Sequence, residues 1–213
     1  MSKNNNRLRI KVCGLRDPDN IREVLKLKPE FIGFILHPGS RRYLGIDYRL
    51  EVDIPDHTKR VGVFVNSLID EVVHWINRLD LDMVQLHGQE GPEYCREIKQ
   101  MGIKVIKAFG IDASFEFDSL KKYASWCDFF MFDAKSELHG GSGQKFNWKI
   151  LDNYVLDLPV FLSGGITADD AGTISALQKD WLYAVDINSK FETAPALKDP
   201  KLLQSFFSQI RSK

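Results

Sequence analysis

Two residues in this chain have the types needed to move protons. Cys13 closes the apolar run "RIKVC" and is followed at once by Gly14, and Asp133 closes the run "FFMFD". A thiol at a strand end can act as a base once deprotonated, although an ordinary thiol, with a pKa of about 8.5, is mostly protonated at neutral pH. A partly desolvated carboxyl group does the converse, since burial raises its pKa and lets it serve as a general acid. Each also has a plainer reading. Cysteine is among the most often buried residue types and fills cores, and an aspartate after a strand can be a loop residue or a helix cap. Lys11 is read as pointing to the opposite face of its strand, away from the thiol.

Other stretches supply binding chemistry. "HPGSRRYL" carries Arg41 and Arg42, and an arginine there could hold a carboxylate through two parallel N–H bonds. "SGGIT", Ser163 to Thr167, leads into a helix-like segment, and "DINSK", Asp186 to Lys190, follows another apolar run. Gly164-Gly165 and Asn188-Ser189 are therefore candidates to offer backbone N–H groups to a phosphate, though a paired glycine is often just a turn. His87, in "QLHG", reads as a structural or hydrogen-bonding residue, and Cys95 and Cys127 as core packing.

These residues need a frame that brings them together. Candidate strands are Arg9–Cys13, Phe31–Leu36, Arg60–Val65, Met83–Leu86, Lys104–Phe109, Phe129–Asp133, Pro159–Ser163 and Leu182–Asp186. Most are continuous apolar segments, as expected when both faces are covered. Helix-like stretches lie between them: Asn20–Leu27, Ser67–Leu79, Pro92–Met101, Ser114–Trp126, Ala168–Leu177 and Pro200–Arg211, with only Tyr48–Val52 plausible between the second and third strands. The alternation predicts a parallel sheet, doubly wound or closed into a barrel. Eight units are what a (β/α)8 TIM barrel needs, and a chain of 213 residues is near its lower size limit. A flavodoxin-like sheet would leave part of the chain unexplained. The expectation is α/β, one barrel domain over residues 1–213, with residues 1–8 as a polar N-terminal extension. Active sites of such barrels form at the carboxyl ends of the strands, with phosphate held after strands seven and eight. The polar residues named above fall at those ends.

Composition narrows the class. Lys+Arg and Asp+Glu are 29 each, so no global field favours nucleic acid or an anionic membrane. The start "MSKNNNRLRI" has no apolar signal region, and no apolar run is long enough to span a bilayer. Three cysteines without a CxxC pair argue against a disulfide framework or a zinc cluster and suit a reducing cytoplasm. Monomer and homodimer both stay open.

In order, "KVCGLRD", "FIGFILHPGSRRYL", "VGVFVN", "VQLHG", "FDAKSELHGGSGQKFNW", "FLSGGIT" and "VDINSKFE" resemble the phosphoribosylanthranilate isomerase family, over nearly the whole chain. The resemblance implies an Amadori rearrangement of N-(5′-phosphoribosyl)anthranilate in tryptophan biosynthesis, without cofactor or metal. It implies Cys13 as base, Asp133 as acid and Arg42 as the grip on the anthranilate carboxylate. It further implies Gly164, Gly165, Asn188 and Ser189 as phosphate turns, and Gly141 and Gly143 in a mobile loop over the substrate. The chain departs from the family at Lys190, where a glycine is common and where a positive φ would strain a lysine. A metal-dependent epimerase fits less well, because His87 is the one histidine right at a strand end. A barrel that only binds a phosphometabolite would have no use for both Cys13 and Asp133.

Overall fold

The structure, a computed structural model, describes residues 7–135, 146–177 and 179–212. Eight parallel strands close into a barrel: β1 (Arg9–Cys13), β2 (Phe31–Ile35), β3 (Lys59–Phe64), β4 (Met83–Leu86), β5 (Lys104–Ile111), β6 (Phe129–Ala134), β7 (Val160–Leu162) and β8 (Leu182–Ile187). Each pairs with its sequence neighbour, and β8 returns to β1 in a register that sets Lys11 beside Asp186. The strand ends fall within two residues of those expected from the apolar runs.

The helices are α1 (Pro18–Leu25), α2 (Ile69–Leu79), α3 (Pro92–Gln100), α4 (Ala171–Ala176) and α5 (Pro200–Arg211), of which α1, α3 and α5 open on a proline. Asp17 accepts from the Asn20 N–H ahead of Pro18, and Asp199 accepts from Lys201 and Leu202 ahead of Pro200. No helix among the described residues is long and apolar enough to cross a membrane.

Two expected helices are absent. Tyr48, Leu50, Val52 and Ile54 pack on the core while Arg49, Glu51 and Asp53 face solvent, so this strip alternates with period two and runs extended over the barrel. The stretch expected as a helix over Ser114–Trp126 is instead a 3-10 segment at Phe117–Lys122. Phe115 and Phe117 both turn inward, against Phe109 and Phe132 respectively. Residues two apart lie on different sides of an α-helix, so that packing excludes one.

The sheet separates two cores. The outer one lies between strands and helices; the inner one, from Phe31, Val61, Met83, Ile106, Phe129, Met131, Phe161 and neighbours, fills the barrel. Phe31 and Phe129 open their strands and pack edge-on against Phe161, at 5.1 and 5.4 Å between ring centres. The amino end of the barrel is thus an aromatic floor, with Arg9 stacked on Tyr183 at 4.1 Å, and the cavity lies at the other end. After β8 the chain makes a hairpin, β9 (Glu192–Ala194) with β10 (Leu197–Lys198), which the sequence reading did not anticipate.

Candidate active site

Cys13, Arg42, Asp133, Gly164, Gly165, Asn188 and Ser189 all line one cavity at the carboxyl end of the barrel, with Gln85, His87, Ser163 and Asp186 beside them. Gly141 and Gly143 lie outside the described residues. Arg41 is exposed and is not part of the cavity wall, so Arg42 is the arginine available there.

Period-two alternation explains the inner wall. Cys13 follows Lys11 by two positions, His87 follows Gln85, and Asn188 follows Asp186, so each pair shares the inward face. Lys11 therefore does not point away from the thiol, contrary to the expectation above. It is fully buried inside the barrel, donating to Gln85 Oε1 at 2.8 Å and to Asp186 Oδ1 at 2.9 Å. Burial works against its charge, but the Asp186 carboxylate and the Cys13 thiol outweigh that and hold the ammonium above its ordinary range. Burial pushes the Cys13 thiol up; the charges of Lys11 and Lys198 pull the other way without cancelling it.

Gly14 and Gly33 make room around the thiol. A Cβ on Gly33 would sit 2.7 Å from the Cys13 sulfur. Gly14 adopts φ +76°, and a Cβ there would meet Arg42 Cδ and Asn188 Oδ1, each at 2.8 Å. Gly14 thus lets strands one and eight and the arginine loop converge beside the sulfur.

Asp133, 13% exposed at its side chain, accepts at Oδ1 from the Ala134 N–H at 2.8 Å, and its Oδ2 lies 3.3 Å from His87 Nε2. The turn after β7 abuts it. Gly164 has φ +94°, and a Cβ would lie 2.7 Å from the Ala134 nitrogen and 3.3 Å from Asp133 Oδ1. The N–H groups of Gly165 and Ser189 bond to no acceptor among the described residues and border the cavity, as donors for an anion would. Lys190 lies in a 3-10 turn, exposed and without positive φ, so the strain expected there does not arise.

Arg42 is 13% exposed at its side chain and grips Glu192 through Nε at 2.9 Å and Nη2 at 2.7 Å. Glu192 also takes Lys198 Nζ at 2.7 Å, and Lys198, fully buried, donates onward to Asn188 Oδ1. Burial opposes the charge on Glu192, yet hydrogen bonds from Arg42 and the Lys198 ammonium hold it below the usual carboxylate range. The Nε edge of the guanidinium is thereby engaged within the protein, which leaves Nη1 for a ligand. The sequence reading missed Lys11, Gln85, Glu192 and Lys198. A charge or amide inside an apolar strand, as in "IKVC" and "MVQL", was a usable signal.

Of the three cysteines, Cys13 borders this cavity, whereas Cys95 and Cys127 pack in the outer core. Iodoacetamide should modify Cys13 first, at a rate that keeps rising above the ordinary thiol range. Peptide mass mapping across pH checks this, and earlier labelling of Cys95 or Cys127 would contradict it.

The sequence profile described as N-(5'phosphoribosyl)anthranilate (PRA) isomerase matches residues 10–209. The N-(5'-phosphoribosyl)anthranilate isomerase of Phocaeicola vulgatus is 39% identical over 204 residues, covering 96% of this chain and 98% of that protein. The phosphoribosyl anthranilate isomerase structure from Thermotoga maritima superposes with TM-score 0.83 at 29% identity, over 97% of this chain and 100% of that one. A further isomerase structure, solved with reduced 1-(o-carboxyphenylamino)-1-deoxyribulose 5-phosphate, superposes with TM-score 0.81 at 26% identity, over 97% and 100% of the two chains. A profile match over nearly the whole chain, on a closed eight-stranded barrel, leaves one conclusion: this chain belongs to the N-(5′-phosphoribosyl)anthranilate isomerase family.

Proposed function

We propose that Asp133 and Cys13 are the general acid and general base of this family's reaction in this chain, the Amadori rearrangement of N-(5′-phosphoribosyl)anthranilate to 1-(2-carboxyphenylamino)-1-deoxyribulose 5-phosphate. Asp133 gives a proton to the furanose oxygen as its bond to C1′ breaks, and the anilino nitrogen's lone pair forms the C1′ iminium. The Cys13 thiolate then takes the C2′ proton, and the C–H electron pair neutralises the iminium to give an enolamine. That species gains a proton at C1′ and loses one from the C2′ hydroxyl to become the ketone. Each proton added to the sugar is balanced by one removed, so an acid and a base are the groups required.

The observation that carries this reading is placement. Cys13 and Asp133 line the same cavity as Arg42, Gly165 and Ser189, and the N–H groups of the last two bond to no acceptor among the described residues. Those turns, with Gly164 and Asn188, are assigned to the phosphate, and Arg42 to the anthranilate carboxylate through Nη1. The cationic iminium beside the sulfur adds to Lys11 and Lys198 in favouring a thiolate, which offsets the cost of burying it. Three free cysteines suit a reducing cytoplasm, where we place the protein.

The test is an assay of purified protein with freshly generated phosphoribosylanthranilate, following loss of its fluorescence. Turnover is expected with no added metal or cofactor. Folded protein that leaves the fluorescence unchanged would overturn the reading.

A further inference from the structure

Asp186, Lys11, Gln85, His87 and Asp133 form an unbroken chain of polar contacts across the barrel interior. Lys11 Nζ donates to Asp186 Oδ1 at 2.9 Å and to Gln85 Oε1 at 2.8 Å; Gln85 Nε2 lies 2.7 Å from His87 Nδ1; His87 Nε2 lies 3.3 Å from Asp133 Oδ2. The donor and acceptor roles along it follow from chemistry alone. An ammonium can only donate, so the amide group of Gln85 must turn its oxygen to Lys11. Its NH2 therefore faces His87, and an NH2 can only donate, so Nδ1 must be the unprotonated nitrogen. The ring proton is left on Nε2, the nitrogen that lies 3.3 Å from Asp133 Oδ2.

We propose that Gln85 is a positioning residue: held by Lys11, it locks His87 as the neutral Nε2–H tautomer, so that the protonated nitrogen of the ring is the one 3.3 Å from the Asp133 carboxyl. Every link upstream of His87 is buried. Lys11 is 0% exposed, Gln85 1% and Asp186 6%, so these bonds are shielded from bulk water and the protein sets the orientation. Lys11 is the branch point, since its charge also acts on Cys13 two residues along the same strand. One ammonium thus biases both proton-transferring groups, Cys13 directly and Asp133 through Gln85 and His87. The consequence for turnover rests on the role proposed for Asp133; the tautomer does not.

The experiment is long-range 1H–15N correlation NMR on protein labelled at its five histidines, with the His87 signals identified by their loss in His87→Asn. Wild type is expected to show His87 protonated at Nε2 and bare at Nδ1. Gln85→Glu puts an acceptor opposite Nδ1, and should move the proton there or give the imidazolium. Gln85→Met removes the donor and should leave a mixture of tautomers. Both should lower kcat by about ten- to a hundredfold with a smaller change in KM, the range known for removing the hydrogen-bond partner that orients a metal-bound histidine. A residue that merely supports the fold would lower the melting temperature and leave the His87 signature of the folded protein unchanged.

His87 in wild type protonated at Nδ1, or cationic at neutral pH, would overturn the proposal. So would the Nε2–H pattern surviving in the folded variants, or a changed pattern with unchanged kcat. If Gln85→Glu fails to fold around its added charge, the wild-type spectrum and Gln85→Met decide. An enzyme inactive on phosphoribosylanthranilate that still shows the Nε2–H pattern, altered in Gln85→Met, would overturn the role in turnover and the proposed function while leaving the tautomer assignment standing.

Discussion

Asp133→Asn is expected to lower kcat/KM by about 10² to 10⁴, or about 2.7 to 5.5 kcal/mol of transition-state stabilisation. The amide fills nearly the same volume but has no acidic proton for the ring oxygen. It also cannot reproduce both contacts of the carboxylate. The Ala134 N–H and His87 Nε2 meet different oxygens of Asp133, and an asparagine has one. The variant should therefore fold with a slightly lower melting temperature and bind substrate nearly as well. Cys13→Ala should lose activity to a similar extent for the complementary reason, and Gly33 leaves space around the deletion rather than strain. Steady-state kinetics on both variants, alongside melting curves, checks this. Near-wild-type turnover in both would remove the mechanism.

The second large effect is on stability. Glu192→Ala should destabilise the protein by about 3 to 5 kcal/mol, the usual loss when one member of a buried ion pair is removed and its partner stays charged. Here Arg42 and the fully buried Lys198 share that one carboxylate. Against a total stability of about 5 to 15 kcal/mol for an ordinary domain, this is a large fraction. The sign of the pH dependence follows from the direction of the shift. Folding holds Glu192 below its ordinary range, so the unfolded chain binds that proton more readily. The contribution is fully present above the ordinary glutamate value of about 4.3 and is lost as pH falls through the lower folded value. Urea unfolding of wild type and Glu192→Gln from neutral pH downward should show wild type losing this advantage on the acid side. Equal acid slopes for the two would contradict the assignment. Arg42 would also lose the partner that orients it, so KM should rise in the same variant.

The barrel was readable because a parallel strand covered on both faces leaves an apolar run, and the eight runs stand where the strands form. Cys13 and Asp133 were readable because each ends such a run. What was not readable needs the third dimension. Lys11 was misassigned by one step of alternation, an error that moves a side chain through the sheet. Glu192 and Lys198 are six residues apart and meet through a short hairpin, which nothing in "KFETAPALKD" announces as part of a site. Tyr48–Val52 misled because so few residues fit period two and period 3.6 almost equally well. The Gln85 chain is invisible in sequence, since its meaning lies in which atoms can donate.

The closure of β8 onto β1 has a consequence for how this protein comes into being. Lys11 and Asp186, 175 positions apart, meet only at that seam, and Cys13 and Asn188 border the cavity just above it. On the ribosome β1 is made first and waits, with one edge unpaired, until β8 has emerged. A nascent chain seven strands long has Cys13 and Asp133 but no carboxylate for the Lys11 ammonium and no Asn188-Ser189 turn. The cavity is therefore walled on all sides only once the eighth barrel strand is in place, in the same event that seals the sheet.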